Sequence, residues 1–395
     1  MITPRLPRPQ DYTSPLHEER LAARLGLLLG IAFTVCFLTG LFSHLHQHPV
    51  EWLTLPTRPV WIYRLSQGLH VATGIAAIPL LVMKLWVVTP KFWKRPLIGG
   101  PVAAVERASI LLLIASASFE LITGLLNVAE YYPWSFFFPT VHYAVGWLAV
   151  AAIVVHIAVK LPVIRRALSS EPDHDGANND PVEQQSPGRS VSPSSQGSNS
   201  QLTRRGVLVL AGGAAGVVTV ATIGDRIPLF APVSVAAQRS GRGPQGLPVN
   251  RTAVAAGVTA AARSQRWRLV VTGPTGQREF DLAALQALPQ RTATLPLACV
   301  EGWSRNAEWT GVSFAEVLAA AGIDPADSEV VSLERGLYGR AAVPRAVAED
   351  PLTLIALRLN GDELDIDHGY PARLIAPGRP GVLQTKWLSR IEVRT

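Results

Sequence analysis

Seven of the chain's nine histidines precede residue 157, and several fall inside long apolar runs. An imidazole in hydrocarbon is costly unless paired or ligated, so histidines placed there point to a metal site or a proton relay. His142 and His156 are 14 residues apart on one such run. At 3.6 residues per turn they share a face and lie about 21 Å apart along the helix axis. That separation suits two haems stacked across a bilayer, each held by imidazoles from facing helices. His70 lies a turn or two inside another run, at a depth similar to that of His142, so this pair would hold an outer haem. The partner of His156 stays open between His17, His44 and Met83. His44, His46 and His48 read as loop residues.

The second candidate for chemistry is a thiol. The chain has two cysteines, Cys36 and Cys299, which excludes a disulfide-stapled scaffold and any multi-cysteine zinc or iron–sulfur site within one chain. Cys299 closes a β-compatible run, Arg291–Val300, and is followed by Glu301-Gly302-Trp303-Ser304. By residue type it could be a small buried hydrophobe. It could be a nucleophile, for which His368 is the only histidine after residue 174 to act as base. The third possibility is a soft thiolate ligand to a metal carried by a cofactor, which needs only one protein ligand.

The elements that must position these groups follow from composition. Only 16% of the 395 residues are charged and 48% are hydrophobic, with mean hydropathy +0.23, against about 25% charged in an ordinary soluble protein. That excludes one wholly soluble globule, a disordered chain and a coiled coil. The net charge of +7 would suit nucleic acid only if the basic residues formed a patch. Many of them instead flank apolar runs, so membrane lipid is the expected partner and nucleic acid is not.

Four runs, Leu21–Phe42, Ser66–Val88, Ala108–Val128 and Pro139–Leu161, reach the roughly 20 residues of a spanning helix. Arg20 and Arg24 precede the first. Lys91, Lys94, Arg95 and Arg107 separate the second from the third, and Arg165 and Arg166 follow the fourth. The opposite connections, His44–Arg64 and Glu130–Phe138, carry Trp52, Trp61, Tyr131, Tyr132 and Trp134, as an interfacial belt does. Basic residues stay inside, so both ends of this all-α four-helix unit, residues 14–168, are expected in the cytoplasm.

Residues 169–203 are rich in Ser, Asn, Gln, Pro, Asp and Gly without an aromatic residue and read as a disordered cytoplasmic linker. Residues 204–224 open on Arg204-Arg205 and continue apolar, as a twin-arginine export signal or a fifth spanning helix would. Either reading carries residues 240–395 out of the cytoplasm. That last region reads as an α+β domain. Strands are expected at Trp267–Thr272, Arg291–Val300, Glu329–Leu333, Leu352–Leu359, Arg373–Ala376 and Trp387–Val393. Helices are expected after Asp281 and after Ser313, where Ser313-Phe314-Ala315-Glu316 has capping-box spacing. Asn360-Gly361 is a hairpin signal.

Two resemblances extend this reading. The helical unit, over about residues 14–165, resembles the four-helix di-haem cytochrome b subunits that connect quinone to periplasmic dehydrogenases and reductases. The resemblance implies haem b on His70, His142 and His156, and exchange with the quinone pool. The second resemblance is carried by several motifs in order. They are Cys299-Val300-Glu301-Gly302-Trp303-Ser304, Trp309-Thr310-Gly311-Val312, Asn360 to Leu364, His368 to Gly378, and Lys386-Trp387-Leu388. Over roughly Leu247–Thr395 the chain resembles the molybdopterin-binding domain of the sulfite oxidase family, nearest to the periplasmic methionine sulfoxide reductase catalytic subunits. The resemblance implies that Cys299 ligates molybdenum and that His368 contacts the cofactor. It also implies that Arg373, Gln384, Thr385 and Lys386 hold the pterin phosphate, with Asn250 as an early contact. An anionic phosphate calls for a guanidinium fork, an ammonium and backbone donors, and this set supplies them.

Sulfite oxidases proper carry an arginine close after the ligand cysteine, whereas here Arg305 comes six positions later. Arg335, Tyr338 and Arg340 are candidates for lining a substrate pocket. The expectation is a multi-pass protein of the cytoplasmic (inner) membrane with an extracytoplasmic molybdenum domain. It would exchange electrons between a small-molecule or protein sulfoxide, or sulfite, and quinone through haem, with sulfoxide reduction favoured. The rival expectation is a non-catalytic redox sensor or binding module that retains the molybdopterin fold.

Overall fold

The computed structural model describes residues 7–169, 203–235 and 243–394, except 51, 54, 56–57, 97–98, 225–227 and 337. The linker expected at 169–203 lies outside the described residues but for its two ends. Five long apolar helices come first: α1 (Glu19–Gln47), α2 (Ile62–Phe92), α3 (Pro101–Val128), α4 (Phe138–Ser169) and α5 (Arg204–Ile223). All five are long and apolar enough to cross a membrane. Their outward faces carry Leu38, Val82, Leu111 and Val154, all more than half exposed, which is how a bundle bathed in hydrocarbon differs from a soluble one.

The first four helices outrun the spans expected from the sequence, while α5 keeps to its expected range. The first shows why: nothing between Leu21 and Gln47 breaks a helix, and Pro49 is the first residue that cannot continue one. His44 and His46 are therefore helical, and the His48 amide closes the last turn on the His44 carbonyl at 2.8 Å. This corrects the loop reading of these histidines. At the other end of the chain's helical part, α5 places Val207, Ala211 and Ala215 at four-residue intervals against Leu25, Leu29, Ala77 and Leu80. Arg204 pairs with Glu18 at 2.9 Å just before α1, so α5 starts at the same end of the bundle as α1.

The C-terminal domain has two sheets. One has the order β2-β1-β10-β5-β6 and the other β3-β4-β7-β8, with β9 also on β7. The strands are β1 (Leu269–Gly273), β2 (Gly276–Phe280), β3 (Gln290–Ala298), β4 (Ser304–Ser313), β5 (Ser328–Ser332), β6 (Arg340–Val343), β7 (Leu354–Leu359), β8 (Asp362–Glu363), β9 (Arg373–Ile375) and β10 (Leu388–Val393). Short helices α6 (Thr259–Ala262), α7 (Leu282–Ala287), α8 (Phe314–Ala320) and α9 (Arg345–Ala348) cover them. The expected caps form: Asp281 Oδ1 accepts from the Ala284 amide at 2.8 Å and Ser313 Oγ from Glu316 at 3.2 Å. Asn360 and Gly361 take φ of +50° and +86°, the turn that an Asn-Gly hairpin needs.

Strands β2, β4, β6 and β8 are not among the expected strands, β8 being the short return of the Asn360-Gly361 hairpin. The ten-residue β4 alternates polar outward positions such as Asn306 and Glu308 with buried Ala307 and Trp309. It then abuts β7 so closely at Gly311 that any side chain there would meet the Ile355 carbonyl.

The domain seats on one end of the helical bundle. Arg58, before α2, reaches the nearly buried carboxylate of Asp350 at 3.0 Å. Arg64 donates to Asn306 at 3.2 Å, and Val60 packs on the apolar cluster that contains Leu297, Cys299 and Trp303.

Candidate functional site

Cys299 follows the last residue of β3. Its amide donates to the Trp303 carbonyl at 2.9 Å, and the Gly302 amide returns to the Cys299 carbonyl at 3.2 Å. Gly302 takes φ +105°, so the turn needs glycine there. The thiol is 3% exposed and lies 3.5 Å from Glu301 Oε2, which also accepts from the Trp303 indole at 3.3 Å. The cleft over it is bounded by Asn250, Trp303, His368, Arg373 and Lys386. Four of the expected cofactor contacts, Asn250, His368, Arg373 and Lys386, thus border the cleft with Cys299.

The cleft is cationic at its base. Arg373 opens β9, is 5% exposed, and donates to the carbonyls of His368 at 3.1 Å and Gln384 at 3.3 Å. Its guanidinium lies over the Trp309 ring at 5.4 Å. Burial lowers its pKa to about 10, partly offset by the Cys299 charge. Lys386 donates to the carbonyls of Asp367 at 3.0 Å and Arg251 at 2.5 Å, and reaches Asn250 Oδ1 at 3.5 Å. Burial, then the Arg373 charge, pushes Lys386 down to about 7. Two cations desolvated together, with protein carbonyls as their short partners, make a site that an anion would stabilise.

His368 is fully buried, and burial followed by the Arg373 charge takes its pKa down to about 4. The neutral ring donates through Nε2 to the Pro244 carbonyl at 2.7 Å, because a carbonyl can only accept; Nδ1 is then the acceptor. Gln384 Nε2 donates to the Arg379 carbonyl at 3.0 Å. Gln384 Oε1 and Thr385 Oγ1 are buried without a hydrogen-bond partner among the described residues. Buried polar atoms are rarely left so. The cleft holds only about 10 Å³, about one water, so a ligand must draw Lys386 away from its three oxygens.

The bundle holds a second, contrasting cavity of about 630 Å³. His70 on α2 and His142 on α4 face each other across it, ring centroids 6.1 Å apart and planes at 78°. Two imidazoles binding one metal ion in line, with bonds of about 2 Å, would put their centroids about 6 Å apart. In both rings Nδ1 is held from behind. His70 Nδ1 meets the Cys36 carbonyl at 2.9 Å, and His142 Nδ1 meets Glu120 Oε2 at 3.1 Å and Thr123 Oγ1 at 3.5 Å. That arrangement fixes ring orientation as outer partners do in metal sites. Gly40 and Gly124 let the rings lie against neighbouring helices, a Cβ there falling 3.2 Å from His70 and 3.8 Å from His142. The cavity runs on to Val300, Tyr338 and Arg340 of the C-terminal domain.

Among the described residues no three metal-ligating side chains gather anywhere. A metal on Cys299 or between the imidazoles must therefore bring most of its own ligands. His156, also on α4, has Lys84, Glu106 and Lys160 in its electrostatic surroundings. Among the described residues no ring contact joins it to another histidine. Of the partners considered for it, His17 bonds the Val87 carbonyl at 3.0 Å, His44 stacks on Tyr143 at 3.7 Å, and Met83 packs in the apolar core. Tyr338 senses the charges of Cys299 and Glu301, Arg340 borders the larger cavity, and Arg335 is exposed. Sequence reasoning missed Glu120, whose lone carboxylate within an apolar run was the available signal. It also missed Tyr132 and Asn127 at the seam, for which sequence gives no signal.

Residues 256–395 match the family described as the oxidoreductase molybdopterin binding domain. The C-terminal domain thus matches a molybdopterin-binding oxidoreductase domain, in line with the motifs. The chain is similar to mitochondrial sulfite oxidase of Mus musculus, 32% identical over 33% of this chain and 29% of that protein. The Homo sapiens protein is 31% identical over 32% and 29%. It is also similar to YedZ1 of Azospira oryzae, provisionally named a protein-methionine-sulfoxide reductase subunit, 30% identical over 32% of this chain and 48% of that one. Among solved structures, the sulfane dehydrogenase SoxCD from Paracoccus pantotrophus is 26% identical over 32% of this chain and 38% of that chain, with TM-score 0.31. The chain spans less than a third of the sulfite oxidases and about half of YedZ1.

Proposed function

We propose that the protein is a molybdenum oxidoreductase anchored in the cytoplasmic membrane. In this reading it reduces a sulfoxide, free or in a protein, with electrons from the quinone pool carried by haem b; sulfite oxidation would run the same path in reverse. The observation that carries it is the convergence of buried Arg373 with Lys386, His368 and Asn250 on the cleft over the Cys299 thiol. Two cations and two polar side chains beside one sulfur suit a phosphate-bearing cofactor whose metal needs one protein ligand.

When bound, the molybdenum cofactor supplies two-electron, oxygen-atom-transfer chemistry. The chain's own residues do the rest. Cys299 holds the metal as thiolate. Arg373 and Lys386, with the backbone at Gln384–Thr385, would hold the phosphate. His368 and Asn250 would contact the pterin. Tyr132 and Tyr338 keep their hydroxyl protons, because burial and the charges of Glu301 and Cys299 raise their pKa values. His70 and His142 would hold the outer haem, which supplies one-electron transfer, and His156 would ligate an inner one.

The seam supports the extracytoplasmic placement: the C-terminal domain seats on the bundle end bearing Arg58, Val60 and Arg64, away from the Lys91–Arg107 basic cluster, as the positive-inside rule would have it for a domain outside the cytoplasm. The packing of α5 on α2 supports a retained fifth span, residues 204–224, over a freed signal. Sulfoxide is favoured because Arg305, rather than following Cys299 closely, lies in β4 near Arg64 at the seam. The test is a metal count on purified protein with dithionite-reduced spectra, followed by additions of sulfoxide and of sulfite. One molybdenum per chain, haem bands and reoxidation of the haem by sulfoxide are expected. Protein from a cofactor-competent host without molybdenum overturns the reading.

A further inference from the structure

Cys299 and the His70–His142 pair belong to different units, yet one short line of contacts joins them. Cys299 continues into Val300, whose carbonyl accepts a hydrogen bond from Asn127 Nδ2 at 3.2 Å. Asn127 lies on α3 and is 8% exposed. One turn back, the same face of α3 carries Thr123 and Gly124. Thr123 Oγ1 is 3.5 Å from His142 Nδ1, and a Cβ on Gly124 would touch the His142 ring at 3.8 Å. Four helical residues rise about 6 Å. Thiol and imidazole are therefore joined by one peptide unit, the Asn127–Val300 hydrogen bond, one helical turn and the Thr123–His142 contact.

The junction is built to stay in place. Asn127 Oδ1 accepts from the Tyr132 hydroxyl at 3.2 Å, which orients the amide so that Nδ2 faces Val300. On the far side of the seam the Arg58–Asp350 and Arg64–Asn306 contacts and Val60 clamp the two units together.

We propose that Asn127 is a positioning residue that sets the electron route between the two centres, through the Val300 carbonyl into α3 and on to His142. The inference rests on the two-centre reading above. Each crossing carries one electron, with haem iron oxidised and the molybdenum centre reduced. Two crossings, fed by a quinol that gives up two electrons and two protons, match one sulfoxide, which takes two electrons and two protons to leave as a thioether and water. Asn127 exchanges no atom in this; it closes the gap between units with a hydrogen bond where a van der Waals break would otherwise lie.

The test uses the full chain in detergent with both centres loaded, as wild type, Asn127→Leu and Asn127→Gln. Haem reduced by a quinol is mixed once with dimethyl sulfoxide and, separately, with ferricyanide. The Leu variant should keep its molybdenum count, reduced spectrum and ferricyanide rate, while reoxidation by sulfoxide slows about tenfold. Asn127→Gln, which keeps an amide donor, should recover most of that loss. In the cofactor-free chain, hydrogen exchange at the Cys299 and Gly302 amides should be the same in wild type and the Leu variant. A Leu variant reoxidised by sulfoxide at the wild-type rate overturns the route. So does a slowing accompanied by faster exchange at those two amides, which would mean that the turn itself has loosened. Wild-type protein lacking either centre, or whose reduced haem ignores sulfoxide, instead overturns the reading on which the route rests.

Discussion

The two clefts solve the same problem with opposite materials. In the proposed reading both would hold a metal with very few side chains, one thiol in the first and two imidazoles in the second. The thiol cleft lies in a dense domain core, holds about 10 Å³, and offers two desolvated cations to a ligand's charge. The imidazole cleft lies between helices, opens to about 630 Å³, and uses neutral rings, glycines and a supporting carboxylate. A charged, hydrogen-bonding group is recognised by groups that are costly to bury alone. A flat apolar one is recognised by space and two aligned nitrogens. The first cleft should therefore depend on its ligand for local stability, and the second should depend on its ligand for occupancy alone.

The comparison breaks most cleanly at the ligands. Cys299→Ser should abolish molybdenum retention and lower sulfoxide-dependent turnover by at least about a thousandfold, while the reduced haem spectrum stays unchanged. Metal analysis beside an absorbance scan checks both halves. His142→Ala should do the reverse, removing haem absorbance and leaving the molybdenum count intact. If either substitution empties both clefts, the two sites are not independent and the contrast fails. One step further out, Glu120→Gln keeps His142 but weakens its support, and haem affinity should fall about 10- to 100-fold, measured by titrating haem into the cofactor-free chain.

A subtler break is expected at Arg373. Replacing a buried cation by an apolar residue of similar size is often neutral or stabilising. Arg373→Met should therefore melt no lower than wild type when both are cofactor-free, yet fail to retain the pterin. Thermal melts of the two forms, with and without cofactor, separate these effects. A variant that melts several degrees lower without cofactor would mean that the guanidinium serves the fold through its bonds to the His368 and Gln384 carbonyls, and that no anion is needed.

How much of this was legible beforehand differs between the clefts for a physical reason. The thiol cleft gathers residues from the ends of β3 and β9 and the segment before β10, and their chemistry showed because each sits in a motif of unusual types. Strand β4 did not show, although its alternation of Asn306 and Glu308 with Ala307 and Trp309 is regular, because Gly311 and the polar outward face mask it. In the bundle, depth along a helix can be read from spacing, and His70 with His142 came out together. Helix ends could not be read, because His44, His46 and Gln47 are polar residues that a helix tolerates once water replaces lipid around it. Contacts across the seam, such as Asn127 to Val300, depend on tertiary docking that no local pattern encodes.

The smallest expected effects are those of pH on the cofactor-free domain, and their sign follows from burial. His368, at about 4 in the folded chain against 6.5 when exposed, binds fewer protons folded than unfolded between those values. Stability is then fully present above about pH 6.5 and falls as pH drops towards 4, by at most about 3 kcal/mol. Lys386, at about 7 against 10.5, has the same sign in a higher window: its burial penalty applies below pH 7 and fades as pH rises towards 10.5. An anion reverses that preference, because it favours the ammonium. Phosphate binding to the cofactor-free chain should take up a proton above pH 7 and weaken by up to about tenfold per pH unit there. Calorimetry in two buffers of different ionisation enthalpy reads the proton directly. Lys386→Met should remove the pH dependence along with most of the affinity, whereas binding that stays flat from pH 6 to 9 in the wild type would place the phosphate on Arg373 alone.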